Sequence, residues 1–276
     1  MTPDIEYSNS VLTSRLIDHD PFFVSRCSDS VTKTSMYVDQ RKNPTQSMVA
    51  QMKTHDGLYH TTNDQLIQLC GVYNKAISRA DIMAIFPGLY ENEQTYYLKK
   101  HPHIKTIHNR ALEPFYIKSD EKWSKLLKNS RVLVVSSFVE SYKQQLDSGF
   151  LLDNVWHDQQ QFIFYKTFNT LAGNHIHTSS LETFNIMKQD ITDIADQFDV
   201  ALVSCGGYGL PLCDHIHTQL KKTSIYVGGA LQLLFGVLGN RWVNNTVVGS
   251  LLNGYKGFIR PKEIPNQQLI ESGCYW

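Results

Sequence analysis

Apolar residues in the second half of the chain fall in short continuous runs, separated by segments with helical spacing. Arg131-Val-Leu-Val-Val135 is a β-branched run without alternation, the pattern of a strand covered on both faces of a parallel sheet. A helical stretch from Phe138 to Leu146 follows, then a strand over Gln161 to Phe168. Ser179-Ser-Leu-Glu182 has the form of a capping box and predicts a long amphipathic helix running to about Gln197. Beyond it the spacing predicts a strand over Asp199–Val203, a helix over Leu212–Leu220, a strand over Ser224–Val227 and a helix over Ala230–Leu238. Strands alternating with helices imply an α/β fold: a doubly wound, mostly parallel sheet flanked by helices, with right-handed crossovers.

The first half carries weaker patterning. Pro21-Phe-Phe-Val-Ser-Arg26 reads as a short buried strand that opens the fold. Residues 30–60 are mixed, with a turn at Asn43-Pro44, and read as loop and short helix. Asn63 can cap a helix through Leu69, and Ser78-Arg-Ala-Asp81 introduces either a helix or a strand. Glu91 to Lys100 is helical in composition and stops at His101-Pro102; Glu91 and Glu93 read as its solvated start.

Composition narrows the function classes. In 276 residues, 42% are hydrophobic and 19% charged, which suits a globular chain able to bury a full core. Lys plus Arg and Asp plus Glu both number 26, so no basic excess exists to neutralise a nucleic acid backbone. No run reaches the roughly 18–20 apolar residues that span a bilayer. The longest apolar region, Ile225 to Leu238, contains glycines and Gln232. The opening Met-Thr-Pro-Asp-Ile-Glu lacks the pattern of a signal peptide, and five irregularly spaced cysteines fit reduced thiols. The expectation is a soluble, cytoplasmic protein.

In an open parallel sheet, ligands bind beyond the carboxyl ends of the strands. The turns to inspect are therefore Arg26-Cys-Ser-Asp29, Ser136-Ser-Phe-Val-Glu140, Ser204-Cys-Gly-Gly-Tyr-Gly209 and Gly228-Gly-Ala-Leu-Gln232. Two of them are glycine-rich and lead into helices, where free N–H groups favour an anion such as a diphosphate. Ser136, Ser137, Gly206, Gly207, Tyr208, Gly228, Gly229 and Gln232 are the nucleotide-site candidates. Neither the Gly-x-Gly-x-x-Gly fingerprint nor a Gly-x-x-x-x-Gly-Lys-Ser/Thr loop is present, which disfavours dinucleotide oxidoreductases and nucleoside triphosphatases. Arg26 can fork onto a phosphate; Asp29 can take a proton from a sugar hydroxyl, ligate a divalent metal, or merely cap the next turn. Tyr208 and Trp242 are candidates to stack on a sugar. His175/His177 and His215/His217 have an i, i+2 spacing that shares a face only on a strand, and no third ligand stands at metal spacing.

Three stretches carry a resemblance: Asp199-Val-Ala-Leu-Val-Ser-Cys-Gly-Gly-Tyr-Gly-Leu-Pro-Leu212, Ile225 to Trp242, and Ile270-Glu-Ser-Gly-Cys-Tyr-Trp276. They resemble a glycosyltransferase family of bacterial capsule and O-antigen clusters, with relatives in large DNA viruses of algae. Val132-Leu-Val-Val-Ser-Ser-Phe138 looks like its central segment. Phe22-Phe-Val-Ser-Arg26 and the residues after it are similar to the Arg-x-Gly-Asp-Gly-Glu segment of glycosyltransferases with the D-type fold. That resemblance puts Arg26 in the arginine place and Asp29 in the aspartate place, while Ser28, Ser30 and Val31 depart from the two glycines and the glutamate.

The resemblance implies transfer of a sugar from a nucleotide donor, a UDP sugar such as UDP-xylose or UDP-galactose, to a surface glycan. Taken with the strand-end turns, the expected mechanism is inverting single displacement, with Arg26 and Arg241 on the departing diphosphate and Asp29, then Glu140, as the base. Mn or Mg at Asp29 belongs to the family pattern, although Val31 removes one ligand. One domain over 1–276 is expected, with residues 30–125 a more helical acceptor-side portion and 130–260 the nucleotide-binding core; a homodimer is compatible. If the source is viral, the compartment is the host cytoplasm. The alternative readings are a non-catalytic sugar-nucleotide or glycan-binding partner in polysaccharide assembly, and a different Rossmann-like enzyme such as a methyltransferase.

Overall fold

The computed structural model describes residues 2–27, 30–60, 62–262 and 266–276. Its strands are β1 (Phe23–Arg26), β2 (Ile82–Ile85), β3 (Lys105–His108), β4 (Arg131–Ser136), β5 (Gln161–Lys166), β6 (Val200–Ser204) and β7 (Thr223–Tyr226). Among the described residues they form one seven-stranded sheet in the order β3-β2-β1-β7-β6-β4-β5. Every pairing is parallel, for example Val24 with Ile82 and Ile225, and Val134 with Phe164 and Leu202. The doubly wound α/β reading holds.

Alternation across the strands explains the uninterrupted apolar runs. Leu133 and Val135 of β4, with Ala201 and Val203 of β6, enter the cluster on one face; Val132, Val134, Val200 and Leu202 enter the cluster on the other. Both faces are covered, so neither can be polar.

The helices are α1 (Ile5–Ile17), α2 (Ser30–Asp39), α3 (Gln46–Thr54), α4 (Asn63–Ser78), α5 (Glu91–Lys100), α6 (Val139–Asp147), α7 (Ser180–Asp193), α8 (Gly209–Thr218), α9 (Leu231–Leu234), α10 (Asn240–Val243) and α11 (Thr246–Leu251). Residues of α2, α3, α4, α5, α7 and α8 pack on the first face, through Val31, Met52, Tyr73, Tyr97, Met187 and Leu212. Those of α1, α6, α9, α10 and α11 pack on the second, through Leu12, Tyr142, Leu233, Trp242 and Val248.

Several expectations are refined. Residues 30–60, read as loop and short helix, hold the two helices α2 and α3, and α4 runs to Ser78 with Thr62, not Asn63, as its cap. Ser78–Asp81 introduces a strand, and the Asp81 carboxylate accepts from the Phe23 N–H at 2.8 Å. Ser179 caps α7 as its capping box predicts, accepting from Glu182 N–H at 3.2 Å. The helix expected over 230–238 stops at Leu234. Gly236 turns back with φ 66°, and an added Cβ there would lie 2.1 Å from the Phe150 ring.

Helix α1 and strand β3 carry no clear sequence signal. The inward side of α1 includes Ser8 and Asn9 beside Leu12, so polar hydrogen bonds replace an apolar stripe. The Asn9 side chain accepts from Trp123 N–H at 3.0 Å and donates to the Glu121 carbonyl at 2.7 Å. Asn9→Ala strands a buried N–H and is expected to cost about 1–3 kcal/mol. Urea unfolding should show a lower midpoint with an unchanged slope.

Candidate functional site

The chain leaves β1 towards the face covered by α2 and leaves β7 towards the face covered by α9, which opens a crevice between adjacent strand ends. A cleft of about 1100 Å³ lies there. Its lining includes the ends of six strands, through Arg26, Phe86, Ser137, Thr167, Ser204 and Gly228.

One corner is cationic. The Arg26 guanidinium donates to the Val227 carbonyl at 2.7 Å and lies 4.9 Å from the Phe86 ring centroid and 5.4 Å from that of Tyr226. The Arg241 guanidinium lies 4.1 Å from the Tyr275 centroid and pairs with Glu271 at 2.8 Å. Each of these two groups lies against the backbone of one glycine in the Gly228–Gly229 step. A Cβ on Gly228, whose φ is 70°, would stand 2.2 Å from Arg26 Nη1. One on Gly229 would meet the Tyr275 ring at 2.9 Å and Arg241 Nη1 at 3.3 Å. Glycine is required here for the close approach of side chains as much as for its dihedral freedom.

Burial works against the charge of Arg241, but Tyr275, Cys274 and Glu271 overcome it and hold its pKa above the ordinary arginine value. Behind this corner Glu113 takes Arg110 in a two-point ion pair at 2.8 and 3.0 Å. Burial pushes the Glu113 carboxyl up, while Arg110, Arg26 and Arg241 pull it down.

The second glycine-rich turn is built differently. Gly207 N–H donates to the Asp56 carbonyl at 2.7 Å, and added Cβ atoms would meet Asp56 O at Gly206, Leu58 at Gly207 and Tyr226 at Gly209. These glycines seat the turn against the segment after α3. The Asp56 carboxylate in turn accepts from Val31 N–H at 2.6 Å and Ser30 N–H at 3.3 Å, pinning the start of α2. Asp56 lines the cleft and is 4% exposed. Its role depends on partners distant in sequence, so no local motif marks it.

The remaining candidates divide plainly. Arg26, Ser137, Gly206, Tyr208, Gly228, Gly229 and Arg241 line the cleft. Asp29 lies outside the described residues. Gly207 faces Leu58 instead. Ser136 is buried, bonded to the Tyr142 hydroxyl and the Phe138 N–H at 3.1 Å each. Gln232 sits one layer back and donates to the Tyr275 carbonyl at 2.8 Å. Glu140 is exposed on α6, 4.0 Å from Lys166 Nζ, because Val139 and Tyr142 form the helix's buried face and turn Glu140 outward. It is not among the cleft residues.

Neither aromatic offered for sugar stacking presents a free ring. Trp242 is buried outside the lining, and the Tyr208 hydroxyl is engaged by Thr170 at 3.1 Å and Ser180 at 3.2 Å, with burial pushing its pKa to about 12. Glu93, read as a solvated helix start, is buried and lines the cleft. The helix after Gly228 is four residues long, so the positive charge of this corner comes from guanidinium groups rather than from a helix terminus.

The family model described as a GT-D fold-like domain matches residues 71–234, more than half of the chain. The chain belongs to this family. No curated protein and no solved structure matches it. The GT-D fold-like match covers β2 to β7 with both glycine-rich turns, and leaves Arg26, Arg241 and the 266–276 segment outside. Among the described residues no group of three or more His, Cys, Asp or Glu side chains could hold a metal, and no helix is long and apolar enough to cross a membrane. Asp56→Ala removes the acceptor at the start of α2 and should cost about 1–2 kcal/mol. Amide exchange at Val31 should quicken while that at β4 stays slow.

Proposed function

We propose that this GT-D fold-like chain is a glycosyltransferase, moving a sugar from a nucleoside diphosphate donor to a glycan acceptor. One observation carries the reading: the guanidinium groups of Arg26 and Arg241 both reach the bare Gly228–Gly229 step at the strand ends of a 1100 Å³ cleft. When the bond from the anomeric carbon to the phosphate breaks, negative charge develops on the departing diphosphate. Cations already held in place stabilise that charge without reorganising, and planar guanidinium groups match phosphate oxygens in pairs.

A UDP sugar such as UDP-galactose or UDP-xylose is the donor of this reading, with inversion by single displacement. The 30–125 portion, through Lys33, Gln51 and His55, would then supply the acceptor wall. Asp29 is the residue that would contact Mn or Mg in this reading.

Arg26→Ala and Arg241→Ala should each lower UDP-sugar turnover by about 100-fold or more. UDP at about 100 times its dissociation constant should stabilise the wild-type protein by about 2.7 kcal/mol, read as a raised melting temperature. An equal response to S-adenosylmethionine, with none to UDP sugars, would favour the methyltransferase class instead. Donor binding without any release of sugar would favour a non-catalytic partner.

A further inference from the structure

Helix α5 starts with two acids in contrasting surroundings. Glu91 is exposed. Glu93, two residues on, is 8% exposed and lines the same cleft as Arg26 and Arg241. Among the described residues it has no hydrogen-bond or ion-pair partner. Most of the residue is buried, but its carboxylate oxygens are not among the buried atoms without a partner, so they keep contact with the solvent of the cleft, where a ligand hydroxyl can reach them.

Two other cleft carboxylates and one behind it are committed, while Glu91 lines the cleft from the exposed first residue of α5. Asp56 holds the backbone of Ser30 and Val31, Glu271 holds Arg241, and Glu113 behind the wall holds Arg110.

The start of α5 is fixed independently of Glu93. The Gln94 amide accepts from Phe86 N–H at 2.7 Å and donates to the carbonyls of Leu89 at 2.8 Å and Phe86 at 3.3 Å. That clamp holds the β2–α5 turn, whose Phe86 ring carries the Arg26 guanidinium. One turn along α5 from Glu93, the Tyr97 hydroxyl donates to Asn74 at 2.7 Å and reaches the Thr32 carbonyl at 3.4 Å, so this side of the helix faces α2. Glu93 therefore belongs to a rigid wall of the cleft.

We propose that Glu93 is the catalytic base that activates the acceptor, an inference that rests on the transferase reading. The acceptor oxygen bonds to the anomeric carbon as the bond from that carbon to the diphosphate oxygen breaks. The hydroxyl proton passes to a Glu93 carboxylate oxygen and then to solvent through the open cleft. The electron pair of the broken bond leaves on the diphosphate beside Arg26 and Arg241. With water as acceptor, the same sequence hydrolyses the donor.

The test measures UDP release from UDP-glucose, UDP-galactose and UDP-xylose, with UDP binding followed by calorimetry. Glu93→Gln should keep UDP affinity within about two-fold and lose about 100-fold or more in turnover. Formate should restore part of the rate of Glu93→Ala. Glu93→Asp keeps the charge but withdraws it by one methylene, and should turn over at an intermediate rate; it serves if the glutamine variant does not fold. Wild-type turnover in Glu93→Gln or Glu93→Asp overturns the base, as does a loss of UDP affinity as large as the loss of rate. Wild-type protein that cleaves none of the three donors overturns the transferase reading itself, and the base with it.

Discussion

Two like-charged guanidinium groups converge on one pair of glycines, and that convergence needs support from every side. Arg26 is held by the Val227 carbonyl and two aromatic rings, Arg241 by Glu271 and the Tyr275 ring. Neither arrangement survives a side chain at residue 228 or 229, since the required space is already filled. The corner thus couples β1, β2, β7 and the 266–276 segment into one unit. Its cost in repulsion is offset by the carboxylates of Glu271 and Glu113 and becomes useful when an anion arrives.

The sheet order explains why those parts meet. Because β1 and β7 are neighbours whose following segments leave towards opposite faces, their ends cannot be sealed by one connection. Asp56 closes the flank by serving two elements at once, with its carboxylate on α2 and its carbonyl on the Gly207 turn. Gln94 does the same for the β2–α5 turn. The cleft walls are tied by polar groups whose partners are backbone, which sets their spacing more sharply than apolar contact would.

Features that depend on local chemistry could be read from the chain. The two-sided apolar runs of β4 and β6, the Ser179 capping box and the glycines at residues 206 and 228 all announce themselves within a few residues. Arg26 was legible because it directly follows a buried run. Features created by distant partners were not. Helix α1 hides its inward face behind Ser8 and Asn9, whose value lies in contacts with His108, Glu121 and Trp123. Glu93 sits in a polar stretch that resembles any solvated helix start, and only the packing of α5 against α2 and the Phe86 turn buries it. Glu140 fails for the converse reason: closeness in sequence to a strand end says nothing about which way a helix then rotates.

The stacking of Arg26 between Phe86 and Tyr226 makes flatness as binding a requirement as charge at that position. An ammonium group has the same sign but no plane to lay along either ring and no second nitrogen to spare for a phosphate while the first stays on Val227. A lysine there would keep the electrostatics of the corner and unfasten three strand ends from one another. Among relatives, shape at this residue should therefore be preserved more strictly than charge.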